Sequence, residues 1–417
     1  MKNNQSNRRS YIKLLGISAA GLTSGIAGCL GNSNGDSGTF KVGYLNPLSG
    51  PYGSLGVPGK NGAEYTAEKL NEDGGIDGRD VEIIPYDTES NPDQAISHAR
   101  TLIQEDNVDT IIGFASSSVA KAVSQYSAEQ NIPLIVTGAQ TPDLITKDCR
   151  KTTFRTFPYM TQLQAALALE AGNRLEGKKI ACIAPDYVFG HQSWGVFSDT
   201  MKSEYGATVV SEQFPKFGSG EYQENIQSLL DADPDIVYSS LYSGSLISFI
   251  KQAKQYNFYE QVQIANGSGG LPNVSASMGE DMVPIDLAVE QYVANFPNEY
   301  NQTFVENYRE ATGNVPRPYT VSADAALRAL DKAITESGDS SSEGIISGLE
   351  GVELKTAFGA GNIRAADHQF ITDSIKVGPL EEGHGLSFDD SVYGFPEYYT
   401  VDGGKITPDP NCSFPSA

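Results

Sequence analysis

The 417-residue sequence predicts an α/β fold, with parallel sheets flanked by helices and the unit built twice in series. Three observations predict it. Short apolar runs alternate with amphipathic stretches, as they do where parallel strands are joined by single crossover helices. The alternation breaks around Phe157-Pro158 and then starts again. Finally, 39% of the residues are hydrophobic, which in a chain of this length fills the cores of two domains.

In the first set, strands are expected at Phe40–Asn46, Val81–Asp87, 108–113 and 132–136. Between them, 91–105 reads as a helix. Asn91 caps it, Pro92 suits its first turn, Gln94 sits three residues after the cap, and Ile96, Ala99 and Ile103 share a face. Val119, Ala122, Val123 and Tyr126 form the same stripe on the next helix. The second set has strands at 179–184, 208–214, 235–239 and Gln263–Asn266. Helices at 161–174, 192–204, 221–230 and 245–256 accompany them. After Val289 two longer helices follow, at 298–312 and 320–336, the second with Ala323, Ala326, Leu327, Leu330 and Ile334 on one side. The tail beyond Gly378 is rich in Gly, Pro and acids and reads as irregular.

Charge excludes some functions. There are 52 Asp+Glu against 29 Lys+Arg, a net of −23. The first 29 residues hold Lys2, Arg8, Arg9 and Lys13 and no acid, so without them 25 basic residues face 52 acidic ones, a net of −27. Such a surface repels phosphate backbones, so no nucleic-acid partner is expected. No segment of 18 uninterrupted apolar residues follows residue 29, which argues against a polytopic membrane protein.

The N-terminus reads as an address. Asn7-Arg8-Arg9-Ser10-Tyr11-Ile12-Lys13 precedes a short apolar run and resembles a twin-arginine signal. Ile26-Ala27-Gly28-Cys29 resembles a lipobox, whose Cys29 would carry the lipid. Residues 30–38, rich in Gly, Ser and Asn, form a flexible tether. The expected location is extracellular, anchored to the outer face of the cytoplasmic membrane.

Outside the cell a disulfide is permitted. Cys149 and Cys412 lie in polar, loop-like surroundings and are the expected pair, while Cys182, in an apolar run, reads as a core thiol. The sequence has no Cys-x-x-Cys, and His98, His191, His368 and His384 are scattered, so neither a metal nor another cofactor is expected. Gly31-Asn32-Ser33-Asn34-Gly35 fits the G-x-S-x-G pattern but has no strand before it and no helix after it. The carboxylate pairs Glu381-Glu382 and Asp389-Asp390 sit in a polar tail. With no convergent nucleophile and base, no enzyme is expected.

What remains are polar loops at strand ends, where open α/β sheets bind ligands. Gly113-Phe114-Ala115-Ser116-Ser117-Ser118 ends a strand and opens a helix, offering hydroxyls and helix-start N–H groups. Thr137-Gly138-Ala139-Gln140-Thr141-Pro142 follows another strand. The two loops can grip a carboxylate, or they can serve only as helix caps.

Several motifs in one order now resemble the branched-chain amino acid-binding proteins, type I periplasmic binding proteins that serve ABC importers. They are 42–51 (VGYLNPLSGP), 71–79 (NEDGGIDGR), the loops at 113–118 and 138–144, Phe154-Arg155-Thr156, 186–190, and the run 304–333. The resemblance runs from Thr39 to about Leu380. It implies two Rossmann-like lobes joined by three hinge crossovers, with the ligand between them. Residues 39–157 and 293–365 would form the first lobe, and 158–292 and 366–417 the second.

Carried over one by one, the first-lobe serine falls at Ser116 or Ser117. The turn that holds the ligand's carboxylate and ammonium falls at Gly138, Ala139 and Gln140. The second-lobe aromatics fall at Phe189 or Tyr187 and at Tyr242. The sequence departs from the amino-acid binders at Gln140 in place of Thr, at Leu55 in place of a covering aromatic, and at Ser268 in place of an acid. A buried ammonium without an acid is costly, which puts an ordinary α-amino acid ligand in doubt and keeps amides and small carboxylates open.

The resemblance implies a monomer that captures a small solute by hinge closure and docks on ABC permease subunits. A sensory receptor or a surface scaffold is the alternative. The acidity then describes the surroundings: a net of −27 repels itself at low salt and is screened in brine, as in proteins of salt-loving archaea.

Overall fold

The computed structural model describes residues 38–50, 53–216, 218–268, 270–384 and 392–414. The signal, Cys29, the tether up to residue 37, the G-x-S-x-G sequence and the Asp389-Asp390 pair lie outside the described residues.

The first lobe begins β1 (Phe40–Asn46), α1 (Gly53–Glu72), β2 (Val81–Asp87), α2 (Pro92–Thr101), β3 (Thr110–Gly113), α3 (Ser117–Glu129), β4 (Leu134–Val136) and β5 (Thr153–Arg155). Its five strands are all parallel, in the order β2-β1-β3-β4-β5. The side chains of β3 and β4 are buried throughout, as helices on both faces require. The helix expected to reach residue 105 ends as α-helix at Thr101 and continues as a π turn, Leu102–Asp106.

The second lobe runs α4 (Met160–Arg174), β6 (Lys179–Ile183), α5 (Val188–Tyr205), β7 (Thr208–Gln213), α6 (Gln223–Asp231), β8 (Ile236–Ser239), α7 (Ser243–Lys254), β9 (Gln263–Asn266), α8 (Leu271–Met278) and β10 (Ile285–Val289). Then α9 (Glu299–Thr312), α10 (Pro318–Ser337) and α11 (Ser342–Leu349) follow, with α10 packed on α1. A small antiparallel sheet of β11 (Glu353–Thr356), β12 (Gly359–Ile363) and β13 (Phe370–Thr372) comes next.

The tail differs from the irregular chain expected. It folds as β14 (Ile375–Glu382), β15 (Tyr393–Gly394), β16 (Tyr399–Val401) and α12 (Gly403–Ile406). β14 joins β10 antiparallel and extends the second sheet to β15-β14-β10-β9-β8-β6-β7. Its Ile375, Val377, Gly378 and Leu380 are buried, and the break in alternation at Val377-Gly378, with the neighbouring Pro and acids, hides the strand in the sequence.

The chain passes between the sheets at 156–159, after β10, and around 364–374. The first and third passages run side by side. Arg155 pairs with Gln369 in a parallel bridge, Arg155 N–H donates to the His368 carbonyl (3.0 Å), and Gln369 Nε2 donates to the Phe157 carbonyl (2.9 Å). Cys149 and Cys412 are bonded, with Cα atoms 6.1 Å apart, and this fastens the C-terminal tail beside the first lobe. Cys182 is buried on β6, where burial pushes its thiol up to about 12.

Candidate functional site

The carboxyl ends of β3 and β4 build one side of the site. After β3 the chain turns sharply through Gly113 (φ 134°) and Phe114 (φ 73°). A Cβ at Gly113 would lie 2.4 Å from the Leu45 carbonyl oxygen, so only glycine fits. Phe114, fully buried, holds a left-handed backbone that a bulky side chain rarely adopts, a strain common at ligand sites. The turn is fixed by Asn46, whose Oδ1 accepts from Ala115 N–H (2.7 Å). It presents Ser116 as the N-cap of α3, with its Oγ accepting from Val119 N–H (3.5 Å) and 2.9 Å from Ser118 Oγ. Ser117 begins the helix itself.

The second turn, Gly138 to Gln140, lies beside it. Gly138 packs against the Tyr319 ring at the start of α10: an added Cβ would come 2.3 Å from Tyr319 Cε1 and 3.1 Å from Ala115 Cα. Ala139 is fully buried. Its carbonyl and that of Thr141 both accept from one guanidinium nitrogen of Arg155, each at 3.0 Å. Arg155 is itself buried, over the Tyr159 ring at 4.5 Å, and burial lowers its pKa to about 10. Gln140 Nε2 donates to Gln291 Oε1 (3.1 Å), beyond the end of β10. Leu55, in α1, is half-buried.

The facing side comes from the carboxyl ends of β6, β8, β9 and β10. Tyr187 stands before α5 and Tyr242 before α7, with their hydroxyls 3.0 Å apart. Phe189 completes an aromatic group, with ring centroids 5.9 Å from Tyr187 and 6.2 Å from Tyr242. Tyr242 also acts on Tyr319: burial first, and then the Tyr242 phenol, push the Tyr319 hydroxyl up to about 12. Ser268 folds back on its own loop, donating its Oγ–H to Asn266 Oδ1 (2.8 Å). No group of three or more His, Cys, Asp or Glu among the described residues is placed to hold a metal.

Sequence reasoning passes over four residues at this site. Tyr319 and Arg155 lie inside recognised motifs without an assigned role. Gln291 and Glu290 follow β10, and their only signal is a polar pair between Val289 and Tyr292.

Two helix-flanked sheets, parallel except for the antiparallel β14, β15 and β16 of the second, with polar turns at their strand ends are the arrangement of a solute-binding protein. The family model described as "Periplasmic binding protein" matches residues 39–379, and the chain belongs to that family. Among curated relatives it is similar to the Leu/Ile/Val-binding protein homolog 7 of Brucella abortus (strain 2308), 28% identical over 393 residues and 90% of each chain. It is also similar to the leucine-, isoleucine-, valine-, threonine-, and alanine-binding protein of Pseudomonas aeruginosa, 23% identical over 85% of this chain and 89% of that one.

Among solved structures, the corresponding protein of Brucella ovis in its closed conformation has a TM-score of 0.82 at 21% identity, covering 91% of this chain and all of that one. A solute binding protein from Rhodopseudomonas palustris BisB5, in complex with 3,4-dihydroxy benzoic acid, has a TM-score of 0.75 at 22% identity, covering 88% and 98%. These relatives are binding proteins, in keeping with the expectation that the chain is not an enzyme.

Proposed function

We propose that the chain is the extracellular receptor of an ABC importer and that it captures a small solute by closing two lobes. The observation that carries this reading is the meeting of both sets of strand ends, where Gln140 bonds to Gln291 and Tyr242 stands near Tyr319. Ser116, Ser117 and the start of α3 would receive a carboxylate or amide oxygen, and Gly138, Ala139 and Gln140 would hold the adjacent polar group. Tyr187, Phe189 and Tyr242 would cover the body from the second lobe and Leu55 from the first. Closure excludes water and so strengthens each hydrogen bond. A micromolar ligand needs about −8 kcal/mol in all.

These groups are all uncharged, and Ser268 stands where an amino-acid binder would place an acid. The ligand we favour is therefore a small carboxylate or amide with an apolar or aromatic body, over an α-amino acid whose ammonium would be left unpaired. The complex of the Rhodopseudomonas palustris relative with 3,4-dihydroxy benzoic acid agrees with this choice, while the names of the Brucella and Pseudomonas relatives keep leucine in the test.

The test is a thermal-shift panel of 4-hydroxybenzoate, isobutyramide and leucine. A ligand at 100 times its Kd stabilises the native state by about 2.7 kcal/mol. No shift with any of the three counts against the reading, and unchanged affinity in Ser116→Ala, Ser117→Ala and Tyr242→Ala refutes the site. In the cell, Cys29 would tether the receptor to the membrane. Its net of −27 would make the melting temperature rise with added salt, and indifference to salt would remove the adaptation to brine.

A further inference from the structure

Glu290 is an acid where burial makes acids rare. It directly follows β10, is 3% exposed, and lies in the second passage between the lobes. Its two carboxylate oxygens accept from consecutive backbone N–H groups at the start of α8: Oε2 from Gly270 (2.8 Å) and Oε1 from Leu271 (2.9 Å). The loop so held begins at Asn266, whose side chain binds Ser268, and Gly267 is fixed from the other side by Gln164. The next residue, Gln291, holds Gln140.

We propose that Glu290 is a positioning residue of the ligand site: its ionised carboxylate sets the loop that carries Ser268, and uptake of a proton by Glu290 loosens that loop and weakens ligand capture. The proposal rests on the receptor reading above for its second half only. A carboxylate accepts both N–H groups, whereas a carboxylic acid keeps one good acceptor oxygen and loses its attraction for the helix start.

The change falls in a useful range. Burial raises Glu290 to about 7, although Leu271 and Gly270 N–H groups pull it down. The titratable group facing it is Tyr398, between β15 and β16, whose phenol donates to Asn295 Oδ1 (2.7 Å) and is pushed far up by burial and then by Glu290. Tyr398 therefore stays neutral while Glu290 titrates.

The experiment is hydrogen exchange on the full chain without ligand. It reads the ratio of exchange in a peptide spanning 266–275 to that in a peptide of α10 from the same sample, which cancels the intrinsic dependence on pH. In the unaltered protein the ratio should rise about tenfold from pH 8 to pH 6, the loss of one charge-assisted hydrogen bond. Glu290→Gln should hold it high and flat at both pH values, while its melting temperature shows that it folds. A ratio that stays flat in the unaltered protein overturns the anchor.

Affinity for 4-hydroxybenzoate and leucine is measured beside it. A Kd that weakens on acidification in the unaltered protein and not in Glu290→Gln supports the link to capture. A Kd that follows pH equally in both overturns it. If neither probe binds, the link to capture fails with the receptor reading, while the exchange ratio still decides the anchor.

Discussion

Gln140 Nε2 donates to Gln291 Oε1 at 3.1 Å, joining the turn after β4 to the passage after β10 across 151 residues of sequence. The other end of the Gln140 amide, Oε1, is buried without a partner among the described residues. One half of the amide thus holds the lobes together, and the other is left as an acceptor. In the capture proposed above, a ligand N–H or O–H would satisfy it, and the cost of leaving it unmade would favour closure on such a ligand.

The pair should therefore be coupled in binding. Gln140→Ala and Gln291→Ala should each weaken a ligand identified by thermal shift, and the double variant should lose less than the sum. The expected coupling energy is about 1 kcal/mol. Isothermal titration of the four proteins measures it, and strict additivity would mean that the hydrogen bond plays no part in capture.

Gly138 should tolerate no side chain. A Cβ there would sit 2.3 Å from a ring carbon of the half-buried Tyr319, and a rigid ring cannot step aside as a flexible chain end can. Gly138→Ala should cost about 1–3 kcal/mol by overpacking. Adding Tyr319→Leu should restore part of the loss. Denaturant unfolding checks both, and an unaltered midpoint in Gly138→Ala would contradict the packing.

Strands β1, β2 and β9 are legible in sequence to the residue because apolar runs there end at turn-forming residues. Helix α1 is not. It contains Pro58 and a spaced series, Gly56, Gly59 and Gly62, residues that disfavour a helix, and no bounds for it are read from the sequence. The glycines serve packing: a Cβ at Gly62 would lie 2.5 Å from the Thr320 carbonyl oxygen of α10. β10 is hidden by Asp286, whose carboxylate accepts from Ile264 N–H (2.7 Å) on the neighbouring strand. In the site, the turns after β3 and β4 can be read because they directly follow strands. Tyr319, Gln291 and Glu290 cannot, because only tertiary folding brings them to those turns. Helix periodicity says which face is apolar, not which loop it meets.

The Cys149–Cys412 bond closes a loop spanning 263 residues of separation. Cross-links over long loops restrict the unfolded chain most, so removal of this one should cost about 2–5 kcal/mol. Cys149→Ser with Cys412→Ser should lower the denaturation midpoint to match the reduced protein. The Cys182 thiol, buried on the far sheet, should not exchange into the gap. Equal midpoints with and without reductant would show that the bond adds no stability.

His368 gives the first passage between the sheets a dependence on acid. It is fully buried beside the first passage, stacked on Phe154 at 3.9 Å and close to Phe414 at 4.4 Å. Its ring nitrogens reach the Thr153 carbonyl and Glu350 Oε1, each at 3.2 Å. Burial lowers its pKa below the ordinary value of 6.5, against the opposing pull of Glu350. Above that value both folded and unfolded chains carry a neutral ring. As pH falls below 6.5 the unfolded chain takes up a proton first, so stability is lost until the folded-state pKa is passed. In global unfolding, which hydrates its carboxyl, Glu290 acts with the opposite sign: its raised pKa favours the folded state below its unfolded value of 4.5 and the benefit is lost as pH rises through about 7. Local opening of the α8 loop instead removes the N–H groups that pull the pKa down and leaves the carboxyl buried, so that opening is favoured by acid. The two are separable by substitution. His368→Asn retains a residue suited to the left-handed backbone at φ 60° and should flatten the fall in unfolding free energy below pH 6.5. Urea unfolding across pH 5 to 8 reads the slope, and an acid limb unchanged in His368→Asn would assign the loss to other groups.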